Sequence, residues 1–210
     1  MKNVLIVGGS NGIGKSIAIQ LLKKGINQIT IVDKTPVDNS GLSDEIVLLF
    51  QKYVTFIPCN LVTDDYLVFE GLTEIDTLVI TAGFGRLTRF EGLTECEIIN
   101  LIKCNLMAPI RVIKKYYEKI CSDKPFYTSV MVSISGRLVS PYYSVYGAAK
   151  AGLRMFIENI NAELAAQGFN NRILDCSPGY IEGTAFNNGK NDYSKTSELA
   201  ADILKRMENR

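Results

Sequence analysis

A short apolar run near the amino terminus leads directly into a cluster of glycines. Residues 4–7 read Val-Leu-Ile-Val, and Gly8, Gly12 and Gly14 follow at once. A run of this kind suits a strand that is buried on both faces of a parallel sheet. A buried strand, then glycines, then an amphipathic helix is a specific context for dinucleotide binding. The sequence therefore predicts a dinucleotide site here, with an ordinary turn between strand and helix as the alternative.

The three glycines are each predicted to serve because they lack a Cβ atom. Together they permit a tight turn, leave room for a pyrophosphate and allow close contact between helix and strand. A helix that begins near Gly12 would direct its unpaired N–H groups and the positive end of its dipole at the phosphates.

Strand-like and helix-like segments alternate along the rest of the chain. The pattern predicts strands at 4–7, 29–32, 54–57, 77–80, 130–134 and 173–176, and helices at 12–24, 43–51, 64–72, 94–121, 143–167 and 197–206. Such alternation predicts an α/β fold with a doubly wound parallel sheet, helices on both faces and a ligand at the carboxyl ends of the strands. A length of 210 residues suits one domain spanning 1–210, in which 185–196 is predicted to be a flexible substrate loop.

The composition excludes several classes of partner and chemistry. With 23 basic and 22 acidic residues and no basic block, the chain gives no sign of binding nucleic acid or an anionic membrane. No apolar run approaches the roughly 20 residues of a membrane span. The five scattered cysteines are typical of reduced thiols, so we expect a cytoplasmic protein. The absence of histidine excludes imidazole catalysis and most metal sites, and we expect no metal.

Two polar residues follow the second and third predicted strands. An acid at the place of Asp33 accepts hydrogen bonds from the adenosine ribose and repels a 2′-phosphate, which favours NAD over NADP, although Lys34 could soften that exclusion. Asn60 is placed where it could meet the adenine amino group. The alternative for each is a residue that caps a turn.

Four residues are candidates for chemistry. Tyr146 and Lys150 stand four residues apart and share one face of a predicted helix, a pairing that is common by chance. Ser133 is predicted inside the preceding strand, and Asn105 is the polar exception on an apolar helix face. A tyrosine needs its pKa lowered by about 3 units, or ~4 kcal/mol, to act as a base near neutrality. One cation at about 4 Å in a dielectric of about 20 supplies that much, although burial opposes it.

Taken together, these motifs resemble the short-chain dehydrogenase/reductase family over roughly residues 1–185. The resemblance implies a Rossmann-type fold in which Tyr146 is the general acid/base and Ser133 binds the substrate oxygen. It also implies that Lys150 holds the nicotinamide ribose and lowers the pKa of the tyrosine, while Asn105 anchors a water of the proton relay. The alternatives are a strand-end serine for Ser133 and a buried helix-capping amide for Asn105.

The same resemblance implies a set of cofactor contacts that runs through the whole chain. These are Gly8, Ser10, Asn11, Gly12, Ile13, Gly14, Asp33, Asn60, Leu61, Ala82, Gly83, Lys150, Pro178, Gly179, Ile181 and Thr184. The chain departs from the family pattern in several places, and the resemblance is to a short member that lacks the usual C-terminal strand and extension. Ile80-Thr81 replaces two asparagines, Asn60 replaces an aspartate, and Thr184 stands one residue later than usual.

The function implied is hydride transfer between NAD(P) and a secondary alcohol or ketone, with NAD favoured. The alternative is a catalytically silent dinucleotide sensor or scaffold, which the complete set of four candidate residues disfavours. The resemblance also implies a homodimer through helices 94–121 and 145–167, in which Ile157, Ile160 and Leu164 contribute to the interface or to the core. Residues compatible with a polar or anionic substrate are Arg86, Arg89, Arg137, Tyr142, Tyr143, Tyr180 and Phe186, although solvated arginines are the more ordinary interpretation.

Overall fold

A six-stranded parallel sheet lies at the centre of the computed structural model, which describes residues 1–26, 28–186 and 191–209. The strands are β1 Asn3–Val7, β2 Gln28–Asp33, β3 Val54–Pro58, β4 Thr77–Ile80, β5 Tyr127–Met131 and β6 Ile173–Cys176. Their spatial order is β3-β2-β1-β4-β5-β6, and every neighbouring pair is parallel. The predicted doubly wound α/β fold is confirmed. The order reverses between β1 and β4, where a crevice forms at the carboxyl ends of the strands.

The helices form a layer on each face of the sheet. They are α1 Gly12–Lys23, α2 Asp44–Tyr53, α3 Glu95–Ile102, α4 Ala108–Lys115, α5 Tyr117–Ile120, α6 Ser144–Ala166 and α7 Tyr193–Glu208. One apolar core joins α4 and α6 to the sheet, and a second joins α1, α2 and α7 to its other face. The central strand β1 lies between the two cores, which explains its uninterrupted apolar sequence. None of the helices in the described ranges has the length and apolarity to cross a membrane.

The predicted helix at 64–72 was wrong, because its polar residues bind the local backbone instead. The Asp64 carboxylate accepts a hydrogen bond from the Asn60 N–H at 2.7 Å, and the Asp65 carboxylate accepts one from the Leu67 N–H at 3.0 Å. Tyr66 has a φ of 74°, outside the helical region. Only the short 3₁₀ turn Leu67–Phe69 remains, since short acidic side chains that cap turns compete with helix formation.

The long helix predicted at 94–121 is divided into α3, α4 and α5, with a π-helical segment at Lys103–Met107 between the first two. The side-chain amide of Asn105 donates to the Leu101 carbonyl at 3.0 Å, so that this carbonyl is shared with a side chain. Pro109 follows in the first turn of α4. A π-helical bulge of this kind widens the helix locally and is frequent at functional sites.

The bounds of β5 and α7 also differ from those predicted. β5 ends at Met131, so Ser133 lies beyond the strand and not inside it. α7 begins at Tyr193, before the predicted start at residue 197, because the Asp192 side chain accepts the Ser194 N–H at 3.0 Å and caps the helix. Within the predicted loop 185–196, residues 193–196 are therefore helical, and residues 187–190 lie outside the described residues.

A side-chain amide covers the free edge of the sheet at β6. The Val132 N–H donates to the Cys176 carbonyl at 2.8 Å, which directs the peptide groups of Cys176 toward β5 and those of Ile173 outward. Asn161 of α6 accepts from the Ile173 N–H at 2.8 Å and donates to the Ile173 carbonyl at 2.9 Å. The side chain thus takes the place that the backbone of another strand would occupy, which protects an otherwise reactive edge.

Asn161→Ala should lower the free energy of unfolding by about 1 to 3 kcal/mol, because it removes two hydrogen bonds from a partly buried peptide group. Chemical denaturation monitored by circular dichroism measures this change. The control is Asn159→Ala, which makes the same substitution at an exposed position of α6 and should change stability by less than about 0.5 kcal/mol. Equal losses in the two variants would contradict the proposed edge contact.

Candidate active site

The glycine loop brings β1, α1 and the end of β4 into direct contact. Gly8 has a φ of 91°, and a Cβ atom there would overlap the backbone of Ala82. A Cβ atom on Gly14 would overlap the Gly8 carbonyl oxygen and the Thr81 hydroxyl. This close approach leaves the first N–H groups of α1 at the crevice between β1 and β4, an arrangement that suits the pyrophosphate of a dinucleotide.

Other loop residues stabilise the loop through their own side chains. Ser10 is fully buried, and its hydroxyl donates to the Thr35 carbonyl at 2.6 Å. Asn11 precedes α1 and accepts a hydrogen bond from the Asn191 side chain at 3.1 Å. Ile13 packs against the core that contains α1. The loop is therefore held from three directions before any ligand is considered.

Asp33 connects the end of β2 to the glycine loop. Its carboxylate accepts the Ser10 N–H at 3.0 Å and the Lys34 N–H at 2.7 Å. The side chain is only partly buried, so a carboxylate with four acceptor positions retains capacity for ribose hydroxyls. This placement fits the ribose contact that the sequence predicted.

Asn60 makes the turn contact that was its alternative interpretation. Its side-chain oxygen accepts the Val62 N–H at 3.0 Å, while the neighbouring Leu61 packs against the core. An amide oxygen can accept a second hydrogen bond, but the first one fixes the orientation of this side chain toward its own turn.

The segment after β6 approaches both the glycine loop and the end of β5. The Pro178 carbonyl accepts the Ile134 N–H at 2.9 Å. Further on, the Thr184 hydroxyl donates to the Ile181 carbonyl at 3.4 Å, and a Cβ atom on Gly12 would lie 3.7 Å from the Thr184 methyl group. Pro178, Gly179, Ile181 and Thr184 thus belong to one segment that borders the phosphate end of the predicted site.

Asn105 and Lys150 converge on Gly83, just beyond the end of β4. A Cβ atom on Gly83 would lie 2.8 Å from Asn105 Oδ1 and 3.4 Å from Lys150 Nζ. Asn105 donates its amide to the Phe84 carbonyl at 2.8 Å, whereas its Oδ1 atom is buried and without a partner among the described residues. A buried acceptor of this kind calls for a donor such as a water or a ligand. The geometry suits the predicted role of Asn105 in a proton relay.

The Lys150 amine is held by a backbone carbonyl that no sequence motif could have indicated. Nζ donates to the Met131 carbonyl at 2.8 Å, at the last residue of β5. Gly136 permits this position of α6, because a Cβ atom there would lie 2.8 Å from the Lys150 carbonyl oxygen. Backbone carbonyls are present at every residue, so sequence patterns carry no signal for this contact.

Ser133 and Tyr146 lie side by side at the carboxyl end of β5. Ser133 has a φ of 145°, a conformation that costs energy in residues with a side chain, and strained residues of this kind cluster at functional sites. Its Oγ atom accepts the Ser135 N–H at 3.2 Å, and its hydroxyl group lies near enough to the buried phenol of Tyr146 to influence the pKa of that phenol. Lys150 Nζ lies 5.8 Å from the centroid of the Tyr146 ring. The structure thus brings together all four residues that the sequence singled out.

Burial governs the protonation of this group. It raises the pKa of Tyr146, although the hydrogen bond from Ser133 acts in the opposite direction. It also lowers the pKa of the Lys150 amine to about 8. The lowered tyrosine pKa that the resemblance implies is therefore absent from the protein alone. The physical reason is that desolvation of the phenolate by burial outweighs the stabilisation that its neighbours supply.

Two further aromatic rings pack against Tyr146. Phe186 lies 5.4 Å and Tyr143 lies 5.5 Å from Tyr146, measured between ring centroids. Gly85 makes room for them, since a Cβ atom there would lie 2.5 Å from the Phe186 ring. Sequence analysis named Tyr143 and Phe186 as pocket candidates but gave Gly85 no role, because the contact depends on loops that are distant in the chain.

Comparison with known proteins places these observations in context. The family model for short chain dehydrogenases matches residues 2–195. An uncharacterized oxidoreductase of Saccharomyces cerevisiae is 31% identical over 188 residues, which make up 87% of this chain and 56% of the yeast protein. A very-long-chain 3-oxoacyl-CoA reductase of Aspergillus oryzae is 27% identical over 176 residues, which make up 78% of this chain and 50% of that protein. The chain spans about half the length of these curated relatives.

Solved structures share the fold. An alcohol dehydrogenase from the archaeon Thermococcus sibiricus, complexed with 5-hydroxy-NADP, superposes with a TM-score of 0.81 at 23% sequence identity. The superposition covers 99% of this chain and 91% of the archaeal chain.

The lowered pKa of Lys150 should appear as a pH dependence of stability. The folded chain binds this proton with a pKa of about 8, below the ordinary value of 10.5, so unfolding takes up a proton between these values and stability rises with pH. Relative to Lys150→Met, the wild-type free energy of unfolding should increase by about 1 kcal/mol per pH unit above pH 8. Urea denaturation at several pH values measures the difference.

The exposed Lys205 of α7 provides the matched control. Lys205→Met removes the same charge from the surface, and its stability should run parallel to that of the wild type across the same pH range. A Lys150→Met curve that is also parallel to the wild type would contradict the lowered pKa of the buried amine.

Proposed function

This chain belongs to the short-chain dehydrogenase/reductase family of oxidoreductases, and we propose that it transfers a hydride between NAD(P) and a secondary alcohol or ketone. The observation that carries the proposal is the convergence of Tyr146, Ser133 and Lys150 at the carboxyl end of β5. The glycine loop lies at the same edge of the sheet, so an extended dinucleotide bound there would reach this group. Mere binding of a dinucleotide would require neither the phenol nor the serine beside it.

A nicotinamide bound at this edge would supply or accept the hydride, and the side chains of the protein would position the substrate oxygen and transfer its proton. Tyr146 donates its hydroxyl proton to that oxygen during reduction and takes it back during oxidation. The Ser133 Oγ atom accepts the Ser135 N–H, and its O–H, which lies beside the Tyr146 phenol in the protein alone, would turn to donate to the same oxygen when a substrate is bound. The raised pKa of Tyr146 keeps the phenol protonated near neutrality, which favours the reductive direction.

Lys150 and Asn105 continue the proton path away from the substrate. The Lys150 amine is positioned by the Met131 carbonyl and would donate to the nicotinamide ribose. The unpartnered Oδ1 atom of Asn105 would accept from a water that restores the proton to Tyr146 through that ribose and Lys150.

Asp33 supports NAD as the preferred cofactor. Its carboxylate is fixed by the N–H groups of Ser10 and Lys34 at the position where an adenosine ribose would lie. A 2′-phosphate placed there would meet a fixed negative charge at short range, which opposes NADP.

A homodimer through α3, α4 and α6 is the proposed assembly. Ile157 and Leu164 are buried in the core, and Ile160 packs against it. Apolar surface is exposed instead by Ile99 on α3, Met107 in the π-helical segment and Met155 on α6. These last three residues, in place of those suggested by the sequence, would form the contact. Light scattering measures the assembly directly, and a monomer at micromolar concentration would contradict it. The free cysteines are consistent with the proposed cytoplasmic location.

Tyr146→Phe should lower kcat by about 10² to 10⁴ or more while leaving the dissociation constant for NADH nearly unchanged, because only the transferable proton is lost. Initial rates from NADH absorbance and binding from nucleotide fluorescence give the two quantities. Tyr117→Phe makes the same change in α5, which leads into the amino end of β5, and should retain full activity. Full activity of Tyr146→Phe on a confirmed substrate would contradict the proposed role of Tyr146 as the general acid/base.

The native chain should bind NADH more tightly than NADPH, and Asp33→Ala should reduce that ratio by about tenfold or more, because it removes the charge facing a 2′-phosphate. Asp33→Asn serves as the matched comparison, since it removes the charge but keeps an acceptor for the Ser10 N–H. Both variants should lose selectivity. Tighter binding of NADPH by the unmutated protein would show that Asp33 does not set the preference.

A further inference from the structure

Three aromatic rings form a continuous cluster beside the hydroxyl group of Tyr146. This aromatic cluster consists of Tyr143, Tyr146 and Phe186, whose ring centroids lie between 5.4 and 6.4 Å apart. Tyr143 and Phe186 are stacked, with an angle of 25° between their planes. Rings at these distances attract one another and offer apolar faces to a further planar group.

Apolar side chains continue from the aromatic cluster onto the surface. This apolar rim consists of Leu87, Phe90, Leu138, Val139, Tyr142 and Tyr180, all of which are exposed. The loop after β4 and the loop before α6 are joined by a hydrogen bond from the Thr88 N–H to the Tyr142 carbonyl at 3.1 Å. Val139 is 96% exposed. Exposed apolar side chains gathered in the loops beside a site indicate a binding surface.

The arginines of these loops are engaged by carboxylates. Arg86 pairs with Glu97 at 3.3 Å, Arg89 pairs with Glu91 at 3.6 Å, and Arg137 pairs with Asp175. Within residues 84–92, 133–146 and 178–186, no lysine or arginine lacks such a partner. An anionic substrate would therefore have to displace a carboxylate before it could use one of these cations. In these loops an anionic substrate would find each arginine already engaged by a carboxylate.

We propose that the substrate carries an uncharged aromatic or aliphatic group, which Phe186 and Tyr143 bind beside Tyr146 and which the apolar rim covers. The inference rests on the proposed oxidoreductase function and names its substrate class. A planar or alkyl group gains from contact with the rings, whereas a carboxylate placed there would lose water without gaining an unpaired cation.

The apolar rim is assigned to the substrate because it is continuous with the reacting group. The aromatic cluster includes Tyr146 itself, and Phe186 reaches Gly85 in the loop that carries Leu87 and Phe90. A ketone whose oxygen meets Tyr146 and Ser133 would therefore extend its side group along Phe186 toward the rim. Phe186 is accordingly a residue that determines specificity.

The test compares acetophenone with 4-acetylbenzoate, which present the same acetyl group and differ by one carboxylate. With NADH or NADPH, kcat/KM should be at least tenfold higher for acetophenone. Phe186→Ala should raise KM for acetophenone about tenfold and change kcat little, because it removes a ring contact and leaves Tyr146 in place. The KM of Phe186→Leu should lie between those of the wild type and Phe186→Ala, because leucine keeps apolar bulk without a ring.

Two exposed leucines provide a matched control for the apolar rim. Leu138 and Leu48 are 63% and 64% exposed, and Leu48 lies on α2, outside these loops. Leu138→Glu should lower kcat/KM for acetophenone severalfold, whereas Leu48→Glu should leave it unchanged. Equal effects of the two substitutions would overturn the role of the rim.

A binding measurement separates this inference from the proposed function. Saturation-transfer NMR on the NAD-loaded protein should show acetophenone bound in preference to 4-acetylbenzoate, with the signal reduced in Phe186→Ala. That result without turnover of any ketone or alcohol would remove the proposed function and leave the substrate class standing. Turnover with a preference for 4-acetylbenzoate, or binding of neither compound, would overturn the substrate class.

Discussion

The hydrogen bond from the Lys150 amine to the Met131 carbonyl is the contact on which the candidate site depends. A fully buried ammonium is costly unless it is hydrogen-bonded, and this carbonyl is the acceptor that the fold provides at the end of β5. The contact fixes the first turns of α6 against the sheet, which places Tyr146 beside Ser133. Gly83 and Gly136 complete the arrangement, because a Cβ atom at either position would press on the groups around Lys150. Close packing and chemistry therefore impose the same geometry here.

Sequence patterns predicted the architecture well because strands that are buried on both faces require continuous apolar runs, which are visible in the sequence. The apolar run of β1 and the glycines after it follow directly from a strand enclosed on both faces and a helix packed against its end. The long helix at 94–121 was predicted wrongly because apolar periodicity does not reveal that Asn105 shares the Leu101 carbonyl. Asn105 is also a candidate site residue, so one side chain both interrupts the helix and serves the proposed proton relay. Local rules fail most often at such positions.

Contacts between distant loops explain what the sequence could not supply about the site. The four residues proposed for catalysis were recognised because they stand at characteristic spacings. The meeting of Phe186 with Gly85, and the pairing of Arg137 with Asp175, depend on how separate loops fold over the same edge. Those contacts are the basis for proposing an apolar substrate. Asn60 shows the opposite case, in which a local turn contact was foreseeable and was observed.

In the proposed function, Tyr146 is a buried acid whose proton becomes mobile when a nicotinamide lies beside it. NMR titration of ¹³Cζ-labelled tyrosine, with the Tyr146 signal assigned by its loss in Tyr146→Phe, measures this directly. In the protein alone, the pKa of Tyr146 should lie above its ordinary value, as burial dictates. Saturating NAD⁺ should lower it by at least about 1 unit, because a positive charge is brought close to the phenolate. A pKa that is the same with and without NAD⁺ would contradict the placement of the nicotinamide beside Tyr146.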